Sequence, residues 1–442
     1  MNFGANTIGK VLGVCVQIVS VPILLHHWGT GLYGEWILLS TIPMYFGMSD
    51  IGFGNVAGNE MTMLAAGGKR DEALVVFQSV SLFITAISIL VSAFLAPVIW
   101  YLPLEKWFQI HLISIHDARL ILLMLGLSSL LTLQEGLFHA SFRCVGKYAL
   151  GTTAKSAVQL GTFLGVIIAV SFGANPILVA AITVLINAVG TFALWGLLRT
   201  QIDWIRYGVR HARLSTIRRL FAPAVSFMSF PISNLLSLQG ILMVIGHVFG
   251  PVGVVTFSTA RTISRSVLQA LQLIGASVWP EVSTAFGSGS VALVRKLHRR
   301  SCQLSILLCV ATTLFAAVFG NQIWKAWTLG KLATDPVLLN ILLFQMLIGS
   351  LWVTSSVVPA ATNNHQGIAK VMLCASATSL VLSYPLMKVS VLGLRGAAIA
   401  LVFADAFIAL FVLRTSLALA EDTFPEFLRS LLEVPALPYR RK

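Results

Sequence analysis

Two arginines stand four residues apart inside a long apolar stretch: Arg261 and Arg265, in TFSTARTISRSVLQALQL. Four residues are about one helical turn, so the two guanidinium groups crowd each other. A guanidinium is a planar fork that suits bidentate binding of phosphate. Two like charges in an apolar span need an anion between them or acids beside them. One reading is a phosphate or pyrophosphate site, with Lys10 as a third cation and Gln17 and Gln269 on the same polar faces. The other is internal ion pairing, for which Glu35, Asp50, Glu135 and Asp405 are available.

Three further groups can carry ion chemistry. Glu135, His139 and Asp405 lie within apolar stretches, where a carboxylate can switch between protonated and charged forms. They are candidates for coupling to protons or Na⁺, or else static counter-ions of the arginines. Glu35 and Asp50 fall near the ends of their stretches and read as cap or interface residues. No cofactor is called for. The five cysteines, Cys15, Cys144, Cys302, Cys309 and Cys374, show neither metal-site spacing nor a disulfide framework.

These residues sit on polar stripes at steps of three and four, the spacing of one helix face. One stripe is Asn6, Lys10, Gln17 and Ser20. A second is Ser128, Thr132, Glu135 and His139. A third is Ser226, Ser229, Ser233 and Ser237. The fourth runs from Ser258 through Arg261, Thr262 and Arg265 to Gln269 and Gln272. Polar groups are costly in lipid and turn toward a bundle interior or a water-filled chamber, although small hydroxyl residues also serve close helix packing.

The elements that must position them are membrane helices. The 442 residues are 57% hydrophobic and 10% charged, against about a quarter charged in soluble chains. A bilayer core of about 30 Å takes roughly 20 apolar residues per helix. Twelve stretches qualify: 5–27, 35–55, 77–101, 120–141, 156–173, 176–198, 220–248, 254–279, 303–324, 337–360, 371–387 and 396–413. Their continuity excludes a β-barrel, whose strands alternate. The first stretch reads as a retained helix, not a signal peptide. An even number places both termini on one side, which carries 21 of the 30 Lys and Arg residues against 6 on the other. Positive loops stay cytoplasmic, so both termini are expected there. The densest cluster, Arg199, Arg206, Arg210, Arg213, Arg218 and Arg219, is explained by topology and anionic headgroups. Nucleic-acid binding is not expected.

The chain also repeats itself. An offset of 219 residues carries Gly31 and Gly34 onto Gly250 and Gly253, and one of 221 carries Ala140, Gly146 and Ala154 onto Ala361, Gly367 and Ala375. Two parallel six-helix halves follow, with a boundary in the Arg-rich stretch: 1–205, 206–414 and a cytoplasmic tail, 415–442. Repeats of this kind are common in transporters, with substrate held where the halves meet. Prolines inside the spans, Pro22, Pro43, Pro97, Pro223, Pro231, Pro359 and Pro385, are expected sites of bending.

The stretch Trp28-Gly29-Thr30-Gly31-Leu32-Tyr33-Gly34-Glu35-Trp36, then Ser49-Asp50-Ile51-Gly52-Phe53-Gly54-Asn55, resembles the opening of polysaccharide flippases. These belong to the multidrug, oligosaccharidyl-lipid and polysaccharide exporter superfamily. Gly250-Pro251-Val252-Gly253, Trp279-Pro280-Glu281-Val282-Ser283 and Ala140-Ser141-Phe142-Arg143-Cys144-Val145-Gly146-Lys147-Tyr148 are similar to later parts of its pattern. The resemblance implies two six-helix bundles around a central cavity and alternating access driven by an ion gradient, in a bacterial inner membrane. It implies an undecaprenyl-pyrophosphate-linked oligosaccharide as substrate, and a cationic cavity that Lys10, Arg261 and Arg265 fit. The expected function is a flippase for O-antigen or exopolysaccharide units, working beside glycosyltransferases and a polysaccharide polymerase. The alternative is a multidrug exporter of the same superfamily. A membrane-embedded glycosyltransferase or polymerase is disfavoured, because no loop expected outside the bilayer has room for a catalytic domain.

Overall fold

The computed structural model describes residues 2–47, 52–362 and 366–433, and all regular structure among them is helical. The helices are α1 (Asn2–Phe46), α2 (Phe53–Ala66), α3 (Arg70–Tyr101), α4 (Leu104–Phe108), α5 (Ile115–Cys144), α6 (Tyr148–Ser171), α7 (Pro176–Gln201), α8 (Leu214–Leu235), α9 (Ile241–Gly287), α10 (Val291–Trp327), α11 (Pro336–Ser355), α12 (Val357–Ala361), α13 (Gln366–Lys388), α14 (Arg395–Leu419) and α15 (Phe424–Leu432). A π-helical turn, Leu236–Gly240, joins α8 to α9. Among the described residues, nine helices are long and apolar enough to cross a membrane. The expected stretches fall on helices, that at 35–55 only in part because 48–51 lie outside the described residues. The count is lower than twelve partly because α9 runs on from one expected span into the next.

That continuation happens through glycine. Gly29 in α1 (φ 72°, ψ −179°) and Gly250 in α9 (φ 67°, ψ −171°) are the non-helical points inside these helices. This extended, positive-φ conformation is open essentially to glycine alone. By contrast Pro22, Pro43, Pro97 and Pro385 stay within regular helix. Nothing lies within 4 Å of where a Cβ on Gly29 would stand. Gly29→Ala therefore tests backbone strain alone and is expected to cost about 1–3 kcal/mol. Gly250→Ala should cost more, because its Cβ would also meet Gln109 Oε1 at 2.7 Å. Gly136, inside α5 with open space around it, is the control: Gly136→Ala should be neutral or stabilising. Thermal midpoints in detergent check all three.

The positive-φ positions also fix the register of the repeat. Gly29 and Gly250, Gly68 and Gly289, and Gln109 and Gly330 are each related by 221 residues (29 to 250, 68 to 289, 109 to 330). Ser114 and Asp335, which cap the N-termini of α5 and α11 with their side chains, are related by the same offset. The offset of 219 expected from Gly31 and Gly34 is thus two residues short there. The backbone pairs Gly29, not Gly31, with Gly250.

The chain forms two compact units: Met1–Val255 with Trp327–Leu332, and Thr256–Ala326 with Ala333–Lys442. The first reaches well past the expected boundary at 205 because the Arg-rich stretch is bonded into it. Gln78 Nε2 donates to the Arg206 carbonyl (2.9 Å), and Gln78 Oε1 accepts from the His211 amide (2.8 Å). Ser79 Oγ accepts from the Arg213 amide (2.8 Å). Ile217, Leu220 and Ala224 of α8 then join the apolar core around Phe53, Phe77, Phe138 and Phe142. Residues 327–332 belong to the same unit through Trp327 Nε1, which donates to the Ile18 carbonyl (2.6 Å), and Lys331 Nζ, which donates to those of Leu25 and His26 (2.9 Å each).

In the second unit, α15 is clamped to α10. Arg299 forms an ion pair with Asp422 and a second with Glu426 at 2.9 Å, and Phe427 stacks on buried His298 with centroids 5.2 Å apart. Phe424, Leu428 and Leu432 form an exposed apolar stripe, as on helices that lie in a membrane interface. Burial pushes the Asp422 carboxyl up, but the Arg299 hydrogen bond and the charges of Arg299 and Arg295 outweigh it and hold it below its ordinary value. A carboxyl depressed in the folded state contributes stability above the ordinary range of about 3.9. That contribution is lost as pH falls through the lowered value. Hydrogen exchange over 424–432, taken relative to the unprotected rate at the same pH, should therefore stay slow at neutral pH and quicken only under acid. Asp422→Asn should quicken it at neutral pH, through loss of about 1–3 kcal/mol.

Candidate functional site

Arg261 and Arg265 lie one turn apart on α9, in the second unit. Arg261 is buried, with its guanidinium carbon 5.6 Å from the centroid of Phe257, four residues earlier. Such an arrangement is a cation–π contact. Arg265 is half-buried. Its charge acts on Arg261, and the charge of Asp405 acts on Arg265. No salt bridge joins Arg265 to Asp405 among the described residues. The region thus gathers two guanidinium groups and one carboxylate.

Asp405 is held by α11. Its Oδ2 accepts from Gln345 Nε2 (2.9 Å) and its Oδ1 from Trp352 Nε1 (3.3 Å). Gln345, Gly349 and Trp352 share one face of α11 by helical spacing. A Cβ on Gly349 would stand 3.7 Å from Asp405 Oδ2, so Gly349 borders the carboxylate. Gln345 Oε1 is buried without a hydrogen-bond partner. The Asp405 carboxylate and the Gln345 amide oxygen thus retain spare acceptor capacity.

Glu135 and His139 lie in the first unit, on α5. Buried Glu135 accepts from Thr191 Oγ1 (2.8 Å) on α7. Asn187, one turn before Thr191, donates to Ser128 Oγ (2.6 Å) and accepts from Thr162 Oγ1 (3.0 Å). These bonds tie α5, α6 and α7 together through polar groups. The charge of Lys155 on α6 acts on both Glu135 and His139. His139 Nε2 lies 3.0 Å from Thr152 Oγ1. Thr132, expected on the same face, is exposed and donates to the Ser129 carbonyl (2.6 Å).

Glu35, one of the acids available for ion pairing, instead binds the backbone of the loop between α4 and α5. It is 2% exposed and accepts from the amides of His111 (2.7 Å), Leu112 (2.8 Å) and Ile113 (2.7 Å). The structure thus brings together Arg261, Arg265 and Asp405 in one unit, and Glu135 and His139 in the other. The side chains of Lys10, Gln17 and Gln269 lie outside the described residues, as does Asp50. Gln345, Trp352, Asn187 and Thr191 were not anticipated. Asn187 and Thr191 carry the same four-residue polar spacing as the stripes that were, and that signal would have found them. Gln345 follows the only other amide of NILLFQMLIG, Asn340, by five residues, which is not the spacing of one helix face and gives no such signal.

No protein-family model matches the chain, and no curated protein matches its sequence. Solved structures do match its fold. A multidrug resistance MATE family transporter of the MOP superfamily, in an inward-facing conformation, is 14% identical with a TM-score of 0.73, over 92% of this chain and 98% of that one. A MOP superfamily transporter from Pyrococcus furiosus, described as having a binding pocket of reversed polarity, is 14% identical with a TM-score of 0.63, over 96% of each chain. An outward-facing multidrug resistance MATE transporter is 13% identical with a TM-score of 0.64, over 95% of each. Across nearly its whole length, this all-helical chain has the fold of the MATE family transporters of the MOP superfamily.

Proposed function

We propose that this chain is a membrane transporter for amphiphilic molecules, a reading carried by its likeness to MATE transporters over 92% of its length. Two substrate classes follow from different observations. The fold neighbours are named as multidrug resistance transporters, which favours export of apolar cations. Glu135 or Asp405 would then meet the cation. The guanidinium pair instead favours a phosphate-bearing head: an undecaprenyl-pyrophosphate-linked oligosaccharide of the O-antigen or exopolysaccharide kind, flipped by alternating access with its tail left in the bilayer. The comparisons weigh toward the drug, the arginines toward the anion. Uptake into proteoliposomes under a proton or Na⁺ gradient decides between them, with ethidium and a fluorescent polyprenyl-pyrophosphate disaccharide as probes. Ethidium alone would sink the anionic reading, the lipid alone would sink the drug reading, and movement of neither would overturn the transporter.

Coupling is assigned first to Asp405, because Gln345 Oε1 beside it has no partner, whereas Glu135 is hydrogen-bonded by Thr191. Intramembrane carboxylates commonly serve ion relays. Asp405→Asn should lower gradient-driven uptake on the order of tenfold while leaving gradient-free exchange in place. Glu135→Gln should do much less. Equal gradient-driven rates for Asp405→Asn and the parent chain would move the coupling elsewhere.

A further inference from the structure

The first unit carries a groove that the transport reading does not use. Residues of α3, α5 and α7 enclose about 560 Å³, with Ile89, Leu127, Leu131, Phe192 and Trp195 among its walls and Tyr207 of the Arg-rich loop at one end. That volume lies within the roughly 300–1,000 Å³ of ligand sites. On α5 the lining runs from Leu127 to Phe138, a rise of ~16 Å at about 1.5 Å per residue. The groove is therefore long and lies along the helices. Its rim is open: Ile89 is 65%, Leu127 48% and Phe192 73% exposed. On helices apolar enough to cross a membrane, such a rim faces lipid.

One wall is not hydrocarbon. Thr85, Ser88 and Ser92 line the groove at one-face helical spacing on α3. Thr85 Oγ1 lies 3.0 Å from the Tyr207 hydroxyl and accepts from Gln134 Nε2 at 2.9 Å. The Ser88 hydroxyl is buried without a hydrogen-bond partner. Polar groups in lipid need partners, so this wall suits a guest that is apolar along its length and polar at one end.

The charge at the Tyr207 end names that polar end. Between 199 and 213 the chain has Arg199, Arg206, Arg210 and Arg213 against the single acid Asp203. Arg206 and Arg210 are exposed and form no salt bridge among the described residues. The loop is pinned there, since the Arg206 carbonyl accepts from Gln78 and the Arg213 amide donates to Ser79. Clusters of basic side chains beside membrane helices attract anionic headgroups.

We infer that the groove is a binding site for one acyl chain of an anionic phospholipid from the leaflet that faces this loop. Its phosphate meets Arg206 and Arg210, and its ester region lies against Thr85, Ser88 and Tyr207. The site is separate from the arginine pair on α9 and does not depend on which substrate is transported.

The test uses the full chain in phosphatidylcholine vesicles with a minor fraction of phosphatidylglycerol, one of the two lipids carrying a diazirine on its acyl chain. After illumination, adducts are mapped by mass spectrometry. Phosphatidylglycerol should label Ile89, Leu127, Leu131 and Phe192 several-fold above phosphatidylcholine. The pair Arg206→Gln and Arg210→Gln should bring its labelling down to the phosphatidylcholine level. Ser88→Trp, which fills the groove, should lower both, and Leu127→Trp at the open rim fills it if the first variant does not insert. Equal labelling by the two lipids would overturn the site. So would labelling spread evenly over exposed apolar residues of the unit, or a phosphatidylglycerol preference that survives the double glutamine variant.

Discussion

On the anionic-substrate reading, replacing Arg261 and Arg265 together by alanine will abolish movement of a pyrophosphate-headed lipid while the protein still inserts in the membrane. A hydrogen bond to a charged group contributes about 1.5–3 kcal/mol. Two forks on one pyrophosphate then amount to roughly 3–6 kcal/mol, or about two to four orders of magnitude in rate if realised in the translocating state. Arg265 is half-buried, so its removal empties little space, whereas buried Arg261 leaves a cavity. Arg265→Gln is the milder companion: it removes a charge and keeps most of the volume. Arg265→Gln should retain the parent thermal midpoint within a few degrees, whereas the double alanine variant, which empties the site of buried Arg261, should melt earlier and is compared at equal amounts of inserted protein. If the cation reading is the right one, the same double variant will instead raise ethidium uptake, because two repelling charges are gone while Asp405 remains. Unchanged lipid flipping by the double variant would refute the arginine site.

Glu35→Ala will be among the most destabilising single changes in the first unit. One carboxylate accepts three consecutive amides, from His111, Leu112 and Ile113, at 2.7–2.8 Å. Glu35 is 2% exposed, and Ile110 and Ile113 beside those amides are buried. Alanine would strand the amide of buried Ile113, while those of exposed His111 and Leu112 can turn to water; a stranded buried group costs about 1–3 kcal/mol. A loss of about 2–3 kcal/mol is expected, in the upper part of the usual range for point changes. Glu35→Gln keeps one acceptor oxygen but turns an N–H₂ toward a donor, and should cost clearly less than alanine. Thermal midpoints in detergent separate the three proteins. An alanine variant with the parent midpoint would mean that the segment 110–113 holds its shape without the carboxylate.

Much of this molecule was legible because the bilayer imposes a harsh rule on sequence. Backbone groups in lipid must be satisfied within their own helix, so unbroken apolar runs are helices, and the stretches at 77–101, 176–198 and 396–413 fall inside α3, α7 and α14. The repeat was legible for a similar reason, since glycine and small residues recur where the backbone or packing demands them. Its register was not. Many glycines are available near each bend, and only the backbone angles single out Gly29 and Gly250. Pro22, Pro43, Pro97 and Pro385 do not mark bends, whereas the break between α11 and α12 lies three residues before Pro359; a helix can absorb a lost donor but cannot take a positive φ without glycine.

By itself the sequence determined the all-helical class, the twofold repeat and the short roster of charged residues inside apolar stretches. Tertiary structure decided which of them meet. Glu35 and Asp405 are both carboxylates in apolar surroundings, but Glu35 is taken up by three amides of a neighbouring loop, while Asp405 lies within electrostatic reach of Arg265 beside an unused amide oxygen. The unit boundary was likewise decided in three dimensions, by Gln78 and Ser79 binding the backbone of a loop more than a hundred residues away. Helical periodicity reports which residues share a face. It carries no information about which helix that face will touch, because long-range contacts depend on packing among all the helices at once.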